Sequence, residues 1–209
     1  QIWSAALSPK GLLAIGGLKT SGTNHIYLFD TGPDGRMQSA IEIDAPLVQA
    51  LAFSPDGSRL ASGDSKGRVR LWDVASQQLS KERSGGPDAG GRFGKMRSLS
   101  FSPDGSQLVA GFGSRVILYD GVNLAPIQSI NVEGQTINKV AWSTGGDIAF
   151  GCMDGKVLFW PKDRSQPKPF AESPDSGEQL LGLAFSPSGK RVAASYSSSE
   201  QILVWSIPD

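Results

Sequence analysis

The chain has 209 residues, with 20 basic and 20 acidic side chains and no net charge. That balance excludes a whole-domain electrostatic field of the kind that draws proteins to nucleic acid or anionic membranes. Cys152 is the only cysteine and His25 the only histidine, which excludes an internal disulfide and leaves too few soft ligands for a zinc site. No apolar run approaches the ~18–20 residues that cross a bilayer.

In chain order, a strand near Ile2-Trp3 runs to Leu7 and turns at Ser8-Pro9-Lys10-Gly11. A third strand ends on Tyr27-Leu28-Phe29-Asp30, and an outer strand lies around Ala40-Ile41-Glu42-Ile43. The second unit repeats the plan: Val48 to Phe53, the turn Ser54-Pro55-Asp56-Gly57, Arg59 to Gly63, the turn Asp64-Ser65-Lys66-Gly67, and Arg68 to Asp73. A polar outer strand follows around Gln78-Leu79-Ser80-Lys81. In the third unit Phe101 precedes Ser102-Pro103-Asp104-Gly105, Gly111-Phe112-Gly113 reads as a turn, and Ile117-Leu118-Tyr119-Asp120 precedes an outer strand near Ile127 to Ile130. The fourth carries Trp142, Ser143-Thr144-Gly145-Gly146, Trp160 and a weak outer strand at Pro169-Phe170. The fifth carries Phe185, Ser186-Pro187-Ser188-Gly189 and Trp205, with no outer strand.

The turn therefore recurs five times, at spacings of 46, 48, 41 and 43 residues, and an aromatic follows each Pro slot by 16 to 20 residues. Proline presets φ at the second position of such a turn and glycine accepts positive φ at the fourth. Four strands repeating at about 40–45 residues mark a β-propeller blade. The inner strands are apolar at consecutive positions, as in Ala50 to Phe53 and Val116 to Tyr119, which requires cover on both faces. The reading is an all-β propeller of four-stranded antiparallel blades, with five visible and the last lacking its outer strand. The blades fall at about residues 1–45, 46–94, 95–135, 136–178 and 179–209 of one domain.

Leu60-Ala61-Ser62-Gly63 through Val69-Arg70-Leu71-Trp72-Asp73 resembles a WD-repeat unit almost throughout, and Leu158-Phe159-Trp160-Pro161 and Leu203-Val204-Trp205-Ser206 resemble it in part. Trp72, Asp73, Asp154, Trp160 and Trp205 are the expected structural positions. The sequence departs from the family's buried Gly-His, Ser/Thr, Asp and Trp network. No Gly-His precedes a first strand, and only Asp154 holds the turn position expected to pair with its tryptophan, Trp160; Lys66 replaces it in the second unit. Rings of this family usually have seven blades. The chain begins at Gln1, so the expectation is five blades of a larger ring in a longer protein, against a five-bladed ring that closes imperfectly. The resemblance implies a non-catalytic, cytoplasmic interaction scaffold or regulatory module of a signalling or multidomain protein, with bacterial-looking turns. The competing readings are a propeller enzyme of the lactonase or peptidase-associated type, and a sugar-binding propeller.

A search for chemistry supports the first reading. No catalytic, metal or cofactor-binding residue is assigned. His25 reads as a loop histidine, Cys152 as a small apolar core residue, and the turn acids Asp34, Asp56, Asp104 and Asp154 as ligands of their own backbone. A protein or peptide partner is expected, without nucleic acid or membrane. Variation concentrates on the end of the propeller opposite the repeated Ser-Pro turns. Gln49, Lys66, Met96, Arg97, Phe112, Arg115, Lys139, Met153 and Tyr196 are the candidate partner-binding residues there, because Met, Arg and aromatic side chains are enriched at interface cores. Arg92 and Phe93, in the Gly-rich stretch from Ser84 to Gly94, are candidate loop anchors.

Overall fold

The computed structural model describes residues 1–17, 24–33, 35–43, 47–84, 95–173, 178–197 and 202–207, and among them it contains strands and no helix. The first sheet holds β1 (Ile2–Leu7), β2 (Leu12–Gly17), β3 (Asn24–Asp30) and β4 (Met37–Ile43). The second holds β5 (Val48–Phe53), β6 (Arg59–Asp64), β7 (Arg68–Asp73) and β8 (Leu79–Ser84). The third holds β9 (Met96–Phe101), β10 (Gln107–Phe112), β11 (Arg115–Asp120) and β12 (Pro126–Asn131). The fourth holds β13 (Ile137–Trp142), β14 (Ile148–Cys152), β15 (Val157–Trp160) and β16 (Lys168–Ala171). The fifth has three described strands, β17 (Leu180–Phe185), β18 (Arg191–Tyr196) and β19 (Ile202–Ser206). Every sheet is antiparallel with its strands in chain order, so each is a simple meander.

The five first strands pack side by side in succession, β1 on β5, β5 on β9, β9 on β13 and β13 on β17. They line the channel, and the sheets radiate from it. The third blade shows why its strands read as unbroken apolar runs. Leu108, Ala110, Phe112, Ile117 and Tyr119 point back into the core shared with the second blade. Val109, Val116 and Leu118 point forward into the core shared with the fourth. Period-2 alternation persists, but both faces are dry. The terminal blades differ. Ala14, Ile26 and Leu28 of the first blade enter a core with the second, whereas Ile2 and Leu7 stay exposed. In the fifth blade Val192 and Ala194 enter the core with the fourth, and Ile202 and Val204 stay exposed. Each end blade thus presents one apolar face to solvent.

Glycine sets the distance between blades. A Cβ on Gly63 of β6 would lie 2.4 Å from Met96 Cγ and 2.9 Å from Met96 Cβ, so the first residue of β9 presses into the space that a side chain would need. The same contact recurs between Gly16 and Val48, Gly111 and Ile137, and Gly151 and Leu180. In the fifth blade the corresponding residue is Ser195.

The recurrent turn is built the same way in all five blades. In the second, Gly57 N–H donates to the Ser54 carbonyl at 2.9 Å with Gly57 at φ +67°, where a side chain would be strained. The buried Ser54 hydroxyl accepts from Arg59 N–H at 3.0 Å and donates to Asp56 Oδ1 at 2.5 Å. Ser102 does the same for Gln107 N–H and Asp104. Ser8, Ser143 and Ser186 accept from Leu12, Asp147 and Arg191 N–H in turn. Hydrogen bonds from Ser102 and then Ser106 hold the Asp104 carboxyl down to about 2, and those from Ser54 and Ser58 hold Asp56 lower still. A carboxylate depressed in the folded state stabilises above its unfolded value of about 4, and that contribution is lost as pH falls through the folded value. Both groups are exposed, so solvent weakens the effect. The expected result is a melting temperature that declines between pH 4 and pH 2, and declines less steeply in a Ser54→Ala/Ser102→Ala variant. Circular dichroism melts across that range check it.

The tryptophans of the third strands are less uniform. Trp72 Nε1–H donates to Ser62 Oγ at 2.8 Å, inside the protein, so the second blade keeps the Ser–Trp half of the family network. Trp160 does not have the partner expected of it. Its Nε1 is buried without a hydrogen bond, because Phe150 stands in β14 where Ser62 stands in β6, and Asp154 is turned away to Lys156 Nζ at 2.7 Å. The Arg164 guanidinium covers the Trp160 ring instead, 5.3 Å from its centroid and 4.9 Å from that of Trp142. Asp73 serves the following turn, accepting from Ser76 N–H and Oγ–H at 2.8 and 2.6 Å. Trp205 is half-buried against the core of the last two blades.

Candidate functional site

The first strand of every blade carries a β-bulge at its second residue. Register shifts between Ile2 and Ser4, Val48 and Ala50, Ile137 and Lys139, and Leu180 and Gly182. In the third blade, Gly111 pairs with Ser98 and Phe112 with Met96, which skips Arg97. The unpaired residues are Trp3, Gln49, Arg97, Asn138 and Leu181. A bulge frees one residue from the ladder and re-aims its side chain. All five line a single cavity of about 240 Å³ at the channel mouth, together with Lys139, Met153 and Gln179.

The mouth is chemically mixed. Trp3 and Leu181 are 55 % and 49 % exposed and supply apolar surface. Arg97 and Lys139 are half-buried. Burial lowers the proton affinity of Lys139, and the Arg97 charge adds to that. Burial also disfavours the charged form of Arg97. Arg97 Nε and Gln49 Oε1 are both buried without a hydrogen-bond partner. The Asn138 amide donates to the Leu180 carbonyl, which ties the fourth bulge to the fifth blade. The opposite end of the channel holds a cavity of about 610 Å³ among the Ser-Pro turns, including Pro9, Pro55, Pro103 and Trp142, and no ionisable side chain lines it.

Of the nine residues expected on the docking face, Gln49, Arg97, Lys139 and Met153 come together in the mouth. Three are corrected by their burial. Met96 is 0 %, Phe112 2 % and Tyr196 3 % exposed, so none presents a side chain to a partner. Met96 is the residue that fills the Gly63 gap. Phe112 is the last residue of β10 rather than a turn residue, and strand alternation sends it into the core between the second and third blades. Tyr196 ends β18 and packs into the last interblade core. Lys66 is exposed on its turn and Arg115 half-buried at the start of β11, and neither lines the mouth. Arg92, Phe93 and Asp34 lie outside the described residues. His25 lies within β3 beside Tyr27 and not in a loop.

Trp3, Asn138, Gln179 and Leu181 were missed. The signal for the bulge residues was present. Adding the turn spacings of 46, 48, 41 and 43 to Trp3 gives Gln49, Arg97, Asn138 and Leu181 in succession.

Among the described residues no group of three or more His, Cys, Asp or Glu is placed to hold a metal ion. Cys152 is fully buried in the core between the third and fourth blades, and burial pushes its thiol up to about 12. A thiol so placed is an apolar core group. Native protein is expected to leave Ellman's reagent unreacted at pH 8, and to consume one equivalent in denaturant. Reaction of the native protein within minutes would contradict the packing.

The radial sheets define a β-propeller. The family model described as "WD domain, G-beta repeat" matches residues 42–73, 91–120 and 125–161, which take in the first three strands of the second, third and fourth blades. The chain is 38 % identical over 69 residues to the zebrafish (Danio rerio) protein "WD repeat, SAM and U-box domain-containing protein 1". That stretch is 30 % of this chain and 12 % of the relative's length. A chain in the crystal structure of the mitotic checkpoint complex superposes with a TM-score of 0.80 at 19 % identity, over 98 % of this chain and 61 % of that one. By that match residues 42–73, 91–120 and 125–161 are WD repeats, and WD-repeat propellers are generally protein-interaction scaffolds. No helix among the described residues is long and apolar enough to cross a membrane.

Proposed function

We propose that this chain is a non-catalytic docking module that binds a protein or peptide segment at the channel mouth, as one part of a larger signalling or multidomain protein. The observation that carries the reading is the convergence of five bulges on one cavity. Each blade carries a bulge at that position, and in each the residue freed from the ladder lines the mouth. The residues so placed combine an exposed tryptophan, an arginine and two amides, the mixture that supplies anchoring area and hydrogen bonding at interfaces. The structural neighbour belongs to a multiprotein complex, and the three matched WD repeats support the same reading.

The test is selection of a random displayed peptide library on the wild-type protein. Enriched peptides are then measured against a Trp3→Ala/Leu181→Ala variant, whose exposed positions leave the folded core untouched. Loss of two anchors is expected to weaken binding by about 30-fold or more. Peptides that bind the variant as tightly as the wild type, or a selection that enriches none, would refute the mouth as a docking face.

A further inference from the structure

We infer that the partner places an acidic side chain into this mouth, a carboxylate seated between Arg97 and Lys139. The inference rests on the reading of the mouth as the docking face and adds the chemistry of what enters it. Eight residues line the cavity, and among them are two cations and no carboxylate. The two described acids that adjoin lining residues in sequence are engaged elsewhere. Asp154 accepts from Lys156 Nζ at 2.7 Å, and Glu178 accepts from Ser173 Oγ at 2.7 Å. A chain with no net charge thus gathers two positive groups in one partly desolvated space with no counterion among the described lining residues. Like charges held out of water raise each other's cost, and an incoming anion removes that cost.

The orphaned atoms sharpen the choice of ligand. Arg97 Nε is a buried donor with no acceptor, and Gln49 Oε1 is a buried acceptor with no donor. A guanidinium edge pairs with a carboxylate through two parallel hydrogen bonds, which would engage Nε. An acid alone leaves Gln49 unmatched. A peptide N–H beside the acidic side chain satisfies it. The pair of vacancies therefore fits an Asp or Glu within a peptide better than a free anion. Trp3 and Leu181 at the rim add apolar surface for the flanking residues.

The probes are fluorescein-labelled hexaglutamate and hexaglutamine peptides, followed by fluorescence anisotropy at low and at physiological salt, with sodium acetate as a free-carboxylate competitor. The wild type is expected to prefer hexaglutamate at least about tenfold. Arg97→Gln and Lys139→Gln each reduce that preference, and the double variant removes it. A Lys10→Gln/Lys190→Gln variant, with the same charge change on exposed turns at the far end, retains it. Acetate at peptide concentrations displaces nothing, because it brings no N–H. The free double variant melts no lower than wild type, since a repulsive pair has been relieved, whereas a purely structural role would lower it. Equal binding of the two peptides, a double variant that keeps the preference, or a far-end variant that loses it would overturn the inference. Library peptides separate this from the parent reading. If they depend on Trp3 and Leu181 but bind the Arg97/Lys139 double variant normally, the acidic ligand is refuted and the docking face stands. If they bind the Trp3→Ala/Leu181→Ala variant as tightly as the wild type, the docking face itself falls.

Discussion

Gly63→Val lowers the melting temperature by about 6–12 °C. The methyl groups have nowhere to go. The first added atom already lies 2.4 Å from Met96 Cγ and 2.9 Å from its Cβ, which is attached directly to the β9 backbone. Rotation of the methionine clears only the first contact, so β9 must move away from β6. That strains the core shared by the second and third blades, which holds Ala61, Leu71, Leu108 and Phe112. Overpacking of this kind costs about 1–3 kcal/mol, and the upper end applies where backbone must shift. Gly145→Ala is the control. Its added carbon meets nothing closer than 3.6 Å, and its melting temperature should stay within about 2 °C of wild type. Calorimetry on the two variants decides the matter. Combining Gly63→Val with Met96→Ala should recover part of the loss, because the two changes share one contact. A Gly63→Val protein that melts with the wild type would show that the blades are not held at the described separation.

Asp64→Ala is expected to cost about 3–5 kcal/mol, because it takes one of two carboxylates from a buried arginine and unmakes the turn into β7. Asp64 is 1 % exposed and closes β6. Its Oδ1 accepts from Lys66 N–H at 2.8 Å and Arg68 N–H at 3.0 Å, which fixes the turn into β7. Its Oδ2 accepts from Arg68 Nε and from Arg70 at 3.0 Å each. Arg70, 4 % exposed, also pairs with Glu82 of β8. One carboxylate therefore ties the second, third and fourth strands of the blade. Asp64→Asn keeps an acceptor for the turn and loses the charge, so its cost falls between wild type and alanine. An Asp64→Leu/Arg70→Met double variant should be more stable than Asp64→Ala, because no unpaired charge remains inside. Denaturant unfolding of the four proteins gives the order directly. An alanine variant within about 1 kcal/mol of wild type would mean that water reaches Arg70 and that the ion pair does not hold the blade.

The repeating parts of the fold were legible because each has a local cause. The turn needs a serine hydroxyl, a residue that tolerates the third position and a glycine at positive φ, and those demands print themselves on the sequence five times. Cover on both faces prints itself as unbroken apolar runs. What escaped depends on register. Phe112 followed by Gly113 looks like a turn until the pairing with Met96 and Arg115 shows that β10 extends through it. Asp64 was read as a turn residue, since its reach to Arg70 across β7 follows from strand geometry and not from spacing. The expected Asp154–Trp160 pairing failed because a lysine two residues away competes for the carboxylate and wins it at the surface. The candidate face was half legible. Residue type pointed to Arg97 and Lys139, but the same criterion admitted Met96 and Tyr196, whose inward direction is set by alternation. Position would have served better than type. The five mouth residues share one slot of the repeat and have nothing else in common.

That lack of common chemistry has an evolutionary meaning. A side chain excluded from the ladder contributes nothing to strand pairing, so its replacement leaves alignment of the sheet unchanged. Trp3, Gln49, Arg97 and Leu181 are thus four interchangeable settings on a fixed frame, while Asn138 also holds the fifth blade. A lineage can rewrite the chemistry of that rim one setting at a time without renegotiating its architecture.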